Sequence, residues 1–345
     1  MLVSVLDQSP ISEGSTGADA LHNTLDLARL TDSLGYHRYW VAEHHGGPML
    51  AGGSPEALIG PIASVTERIR VGSGGVMLPH YSPFKVAATF SILAALYPGR
   101  IDLGIGRAAG TDPLTTFALQ RDRRQASPDD FPQQLAELLA YFEDALPDDH
   151  PFQRLGATLP GRPELPTVWL LGSSMQSAIW AAQLGLPYAF ADFINPGGEE
   201  LARVYRERFE PVRGLQASRT SVAAWVLCAP TDEEAHELAS SSRMTLTLLR
   251  RGQLIPVPPV ARALEFLASE GRGAADGLPG RRGIIGSPEV VRAGIESLAA
   301  EYVADEVIIV TITHDHGVRR RSYKLIAEAM GLEPHEAGAA GVVSA

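Results

Sequence analysis

Glu43-His44-His45 sets a carboxylate and two imidazoles side by side in the chain. An imidazole that titrates near neutral pH can take up or release a proton during a reaction. The alternative is a structural pair of histidines hydrogen-bonded to loop carbonyls. On an extended strand Trp40, Ala42 and His44 share one face and Val41, Glu43 and His45 the other, so at most one histidine looks along a barrel axis. Two histidines and a carboxylate are also a ligand set for zinc or iron. Adjacent histidines rarely chelate one ion, however, no His-x-His pair follows the first apolar run, and His80 and His314 lack suitably arranged carboxylates, so no metal site is expected.

Three further segments could carry chemistry. Val71–Pro83 (VGSGGVMLPHYSP) crowds glycines around Ser73, which allows either a backbone irregularity or the close approach of a flat ring. Ile101–Pro113 (IDLGIGRAAGTDP) opens space at Gly104 and Gly106 and ends its apolar run at Arg107, whose planar charge suits a phosphate or carboxylate, or else an internal salt bridge. The strongest signal is the apolar run to Leu171 passing into Gly172-Ser173-Ser174-Met175-Gln176-Ser177 and then a helix over Ala178–Leu184. Free amides and the positive end of a helix dipole make such a start an anion site, to which Ser174 and Ser177 add hydroxyls at one-turn spacing. A serine that simply caps the helix is the other reading.

Short β-branched runs alternate with longer amphipathic stretches along the whole chain, the pattern of parallel strands joined by crossover helices. Strands are expected at Leu2–Leu6, Arg38–Glu43, Ile69–Met77, Ile101–Ile105, Thr167–Leu171, Tyr188–Ala191, Ser221–Leu227 and Glu306–Val310. Helices follow them, as at Pro83–Leu96 and at Pro288–Ala300 behind Ser287. Eight strand–helix units close most simply as a (β/α)₈ TIM barrel, residues 1–335 forming one domain and 336–345 a frayed tail. An open doubly wound sheet competes less well, because no glycine fingerprint turns the first strand into a helix. His150–Pro166 and Arg251–Gly286 exceed the repeat and read as insertions before strand 5 and before strand 8, the second either a mobile lid or a disordered surface loop.

Composition limits the partners. With 45% hydrophobic and 20% charged residues the chain can bury a large core. A net charge of −11 argues against a nucleic-acid partner on electrostatic grounds, and Arg319-Arg320-Arg321 reads as the solvated start of a helix. The single cysteine, Cys228, excludes an internal disulfide and fits a reducing compartment. No stretch has the length and apolarity of a membrane span, and the N-terminus reads as a strand and not a signal peptide, so the expected location is cytoplasmic.

In combination and order, LDQSPI, GYHRYWVAEHH, RIRVGSGGVMLPHYSP, YPGRIDLGIGRAAGTDP, LGSSMQSAIWAAQLGLPYAFADF and the closing GSPEVVRAGIESLAAEYVADEVIIVTITHD resemble the luciferase-like, flavin-dependent monooxygenases over most of the chain. The resemblance implies a (β/α)₈ barrel that binds FMN as FMNH₂ from a separate flavin reductase, and oxidises a small-molecule substrate with O₂. It implies that Arg107, Ser174 and Ser177, with the Ser173 and Ser174 amides after Gly172, hold the flavin phosphate. It places a non-proline cis peptide at Ser73-Gly74 against the flavin ring, proton transfer at His44, and the substrate beside His80 and Tyr81. A second phosphate arginine would fall near Arg124, and Gly106 replaces a family cysteine. A homodimer packed through Glu56–Glu67 and Phe84–Leu96 is implied as well. Rival readings are a reduced-deazaflavin oxidoreductase, a non-catalytic flavin-binding protein and a metal-dependent hydrolase barrel.

Overall fold

The computed structural model describes residues 1–107, 112–120, 130–277 and 280–334. Arg124 and the 336–345 tail lie outside them. Along β1 (Leu2–Asp7) the side chains alternate between two destinations: Val3 and Val5 pack outward against helices, and Ser4 and Leu6 turn inward. The split recurs around the ring, in β2 (Arg38–Val41), β3 (Arg70–Met77), β4 (Ile101–Gly106), β5 (Thr167–Gly172), β6 (Tyr188–Ala191), β7 (Thr220–Cys228) and, after a short β8 (Gly283–Gly286), β9 (Glu306–Val310). Thus Tyr39, Leu103, Val222 and Ile309 join the layer between strands and helices, whereas Trp40, Ala223 and Ile308 face a separate interior cluster.

Parallel pairing runs β1-β2-β3-β4-β5-β6-β7-β9 and returns to β1, closing a (β/α)₈ barrel. The helices that surround it are α1 (Gly17–Ser33), α2 (Pro55–Ser64), α3 (Pro83–Leu96), α4 (Pro113–Leu119), α5 (Phe131–Glu143), α6 (Met175–Gln183), α7 (Glu199–Glu207), α8 (Asp232–Leu238), α9 (Ser240–Arg250), α10 (Val260–Ser269), α11 (Pro288–Tyr302) and α12 (His316–Met330). Each expected strand is present, with ends shifted by up to two residues; the second stops at Val41 and leaves Glu43, His44 and His45 in the loop beyond.

The long insertion is neither a bare lid nor a disordered loop over its whole length. It contains α10 and β8, and β8 pairs in parallel with Trp225–Cys228. Since β9 holds the other edge of β7, β8 occupies the edge that β6 leaves beyond Ala223. The earlier insertion folds into turns around a 3-10 segment, Gln153–Thr158.

A buried charge cluster closes the ring at the N-terminal ends of its strands. Arg38 reaches Asp102 and Glu306 at 2.5 Å each, Asp102 also binds Arg70 at 2.6 Å and accepts from Trp40 Nε1 at 3.1 Å, and Ser4 donates to Glu306. The Arg38 guanidinium also lies 4.6 Å from the centre of the Trp169 ring. With that end filled, the cavities lined by Trp40, Gly106, Gly172 and Trp225 lie toward the C-terminal ends, where barrels of this class build their sites. Of the arginine run on α12, Arg320 and Arg321 remain partly exposed, whereas the first is not solvated. Arg319 is buried against Asp7 at 2.6 Å, and Arg320 and Arg321 bond Asp26 and Glu234.

Candidate active site

Two cavities lie at the open end and share Phe193 and Ile194 as a partition. The first, of about 520 Å³, extends from the inward-facing Leu6, Trp40, Ala223 and Ile308 to Arg107 and the Gly172–Ser177 turn. The second, of about 450 Å³, is lined by Gln8, His44, His45, Trp225 and Ile312, by Leu246 and Leu249 of α9, and by Arg281 from the insertion.

At the first cavity, β5 passes through Ser173 into α6, which begins at Met175, three residues before its expected start. Ser174 is the N-cap: its Oγ accepts from Ser177 N at 3.3 Å, and Ser177 Oγ lies 3.4 Å from Ser174 N and 2.7 Å from Ser174 O. The serines therefore do cap the helix. Capping leaves first-turn amides without intrahelical acceptors, so the capping and anion readings coexist at one helix start. Gly172 is required there, because a Cβ at that position would lie 2.3 Å from Ser177 Oγ. Tyr188 on β6, absent from the sequence-derived set, fixes the turn: its hydroxyl donates to Gly172 O at 3.1 Å and lies 3.2 Å from Ser177 Oγ, and burial pushes its pKa up to about 12. Only the strand β6 beside β5 brings the two together, and no local spacing signals it.

Arg107 stands exposed at the end of β4 and lines the same cavity. Gly74 and Gly75 form part of its wall, and the non-proline cis bond joins these two, one residue beyond the expected Ser73-Gly74. Ser73 is held inside that wall, buried, with Oγ donating to Gly104 O at 3.0 Å. Where the family cysteine would stand, a Cβ on Gly106 would meet Met77 Cε at 2.7 Å.

His44 faces the second cavity. Its backbone N–H is fixed on Gly52 O at 2.8 Å, and its ring Nδ1 is buried with no hydrogen-bond partner among the described residues. Burial, helped by the neighbouring His45, pulls its pKa down to about 4. His45 instead bonds Glu43 Oε1 at 2.9 Å, while Glu43 Oε2 accepts from Met77 N at 2.8 Å. Burial and then Glu43 raise the Tyr81 pKa, its hydroxyl bonding that same carboxylate. Tyr81 thus supports the Glu43 network, and neither it nor His80, whose Nε2 is buried without a partner, lines either cavity. Among the described residues no cluster of three or more His, Cys, Asp or Glu side chains could hold a metal ion.

The arrangement is a deep apolar slot with a cation and a helix start at one side, joined to an apolar chamber with one neutral imidazole. Residues 1–306 match the family model described as luciferase-like monooxygenase. The chain is 46% identical to the uncharacterized Bacillus subtilis protein YwcH, over 95% of this chain and 98% of that one. It is 39% identical to the N-acetyl-S-alkylcysteine monooxygenase of Bacillus subtilis, again over 95% and 98%. The crystal structure of apo-MsnO8 superposes with a TM-score of 0.86 at 41% identity, covering 97% of this chain and 98% of that one. The fold alone is shared with the FMN-bound oxygenating constituent of 3,6-diketocamphane monooxygenase from Pseudomonas putida (TM-score 0.71, 19% identity, 95% and 97% covered). It is likewise shared with an F420-dependent secondary alcohol dehydrogenase (TM-score 0.66, 14% identity, 95% and 98% covered). The chain belongs to the luciferase-like monooxygenase family.

Proposed function

We propose that the protein is a two-component flavin monooxygenase that receives FMNH₂ from a separate reductase and uses O₂ to oxidise a small organic molecule. The observation that carries this reading is the first cavity, which pairs an apolar slot with Arg107 and the N-terminal turn of α6. Those donors fit a phosphomonoester, and the slot between Trp40, Leu171 and the Gly74-Gly75 wall fits a flat ring. When bound, reduced FMN would supply the electrons and the activation of O₂ that side chains lack.

The chain's own residues do the rest. Arg107, Ser174, Ser177 and the Ser173 and Ser174 amides would orient the phosphate, Gly172 letting Ser177 approach, and Ser73 would hold the ring wall. Phe193 and Ile194, which line both chambers, would stand between cofactor and substrate. His44, neutral at physiological pH, would accept a proton at Nδ1 from the substrate side. The relative named for N-acetyl-S-alkylcysteine supports a thioether as the first substrate to try. A homodimer is part of the proposal, supported by Ile92 and Leu96 exposed on α3, and its mass in solution checks it.

Anaerobic titration of the protein with FMN and FMNH₂ tests the cofactor, with Arg107→Ala and Ser177→Ala alongside. Hydrogen bonds to charged groups contribute about 1.5–3 kcal/mol, so either change should weaken FMNH₂ binding about tenfold or more. Binding of reduced deazaflavin with no binding of either FMN form would overturn the assignment.

A further inference from the structure

We infer that the second chamber selects a small monocarboxylate with an apolar body, and that Arg281 is the residue that anchors its carboxylate. This rests on the monooxygenase reading for the chamber's role as a substrate site, and it adds the class of substrate.

The insertion ends on two adjacent arginines with opposite circumstances. Arg282 is spoken for: it binds Glu301 at 2.5 and 2.8 Å and lies 3.6 Å from Asp192. Arg281, half-buried, has no carboxylate within 4 Å among the described residues. Among the described residues its one hydrogen bond is from Nη1 to Phe193 O, the carbonyl that also accepts from Trp225 Nε1 at 3.2 Å. Burial, and then the charge of Arg250, lower its pKa, a cost that an incoming anion would relieve.

The walls around it are apolar: Met49, Leu50, Trp225, Leu249, Leu254 and Ile312. The other ionisable groups at this cavity are His44, His45 and Asp112. His44 is held neutral, His45 is turned onto Glu43, and Asp112 Oδ1 is engaged by the Leu114 and Thr115 amides at the start of α4. Arg281 is therefore the cation that faces the chamber without an acid of its own. Its Nε–Nη2 edge remains for a planar two-oxygen acceptor, and a guanidinium fork matches a carboxylate in two parallel hydrogen bonds. One such edge fits one carboxylate on an otherwise apolar molecule better than a dianion. The bond to Phe193 O places the anchor at the partition between the chambers, so the acid end of the ligand would sit at that wall and its apolar body against Leu249 and Leu254.

The test is equilibrium binding of hexanoate, hexanol and hexylamine to the flavin-free protein, by calorimetry or ligand-observed NMR, in wild type, Arg281→Met and Arg281→Lys. The expected result is hexanoate bound at least tenfold tighter than hexanol by wild type. Arg281→Met should erase that preference with hexanol affinity unchanged, and Arg281→Lys should keep part of it. Equal binding of hexanoate and hexanol by wild type, or a preference that survives in Arg281→Met, would overturn the inference. A parallel FMN titration separates the two proposals. If FMN binds and hexanoate shows no preference, the anchor is wrong and the cofactor reading stands; if hexanoate is preferred and no flavin binds, the anchor stands without that reading. Retained thermal unfolding of Arg281→Met confirms that its loss is local.

Discussion

At the level of single residues, His44 and Arg281 owe their chemistry to what is missing around them: among the described residues, Nδ1 of the one has no hydrogen-bond partner and the other has no acid. Because burial lowers the folded pKa of His44 to about 4, the imidazole is neutral through the physiological range and becomes protonated only as pH falls toward that value. A rate that requires neutral His44 should then hold steady down to about pH 5 and show no acid limb near the ordinary histidine value of about 6.5. A kcat/KM profile checks this, and an inflection near 6.5 would exclude His44 as the proton acceptor in the free enzyme. His44→Gln should lower kcat by about 10²-fold or more while FMN affinity stays unchanged. Alternation along an extended strand set His44 apart from Glu43 and His45 and allowed at most one histidine on the axis. The strand ends at Val41, and both histidines line the second cavity although His45 also bonds Glu43. What the sequence could not convey is the role of Tyr188 or Arg281, since each acts on residues from another strand or loop. His80 and Tyr81, for which a substrate role was implied, follow β3 in sequence; Tyr81 bonds Glu43, and neither residue lines either cavity.

Among the elements, the β5–α6 unit was legible because its signal is local: an apolar run, a glycine, serines at cap spacing and a helix. The insertion before β9 was legible only in length. Its glycines and prolines argued for irregular backbone, but the pairing of Gly283–Gly286 with β7 depends on an edge that only the closed ring exposes. Gly172→Ala is the sharpest test of the β5–α6 turn. A methyl group there meets Ser177 Oγ, so Ser177 must give up its place in the cap, at a cost of about 1 kcal/mol of stability. FMN affinity should fall at least as far as in Ser177→Ala, while circular dichroism remains that of the intact barrel. Wild-type affinity in Gly172→Ala would mean that the turn does not hold the phosphate.

For the molecule as a whole, closure joins the first strand to the last helix. Asp7, buried, bonds Arg319 at 2.6 Å, Tyr39 Oη at 2.5 Å and Ser9 N at 2.8 Å. Burial alone would raise its pKa, but the Arg319 charge and these hydrogen bonds prevail and hold it below the usual carboxylate value. The sign follows: Asp7 contributes stability above its unfolded pKa of about 3.9, and that contribution disappears as pH falls through the lower folded value. Asp7→Asn leaves a buried cation unpaired and should cost about 3–5 kcal/mol, measurable by urea unfolding at neutral pH. The eightfold alternation revealed the barrel, yet the Arg319-Arg320-Arg321 run looked like a solvated face, because the acids that neutralise it come from α1, β1 and α8.

The strand pairing outside the ring has one more consequence. Since β8 ties the end of the insertion to β7 while the eight ring strands close without it, closure of the barrel does not depend on the insertion. A change of sequence or length there would reshape the wall that Leu254 and Arg281 give the second chamber while leaving the ring of strands closed.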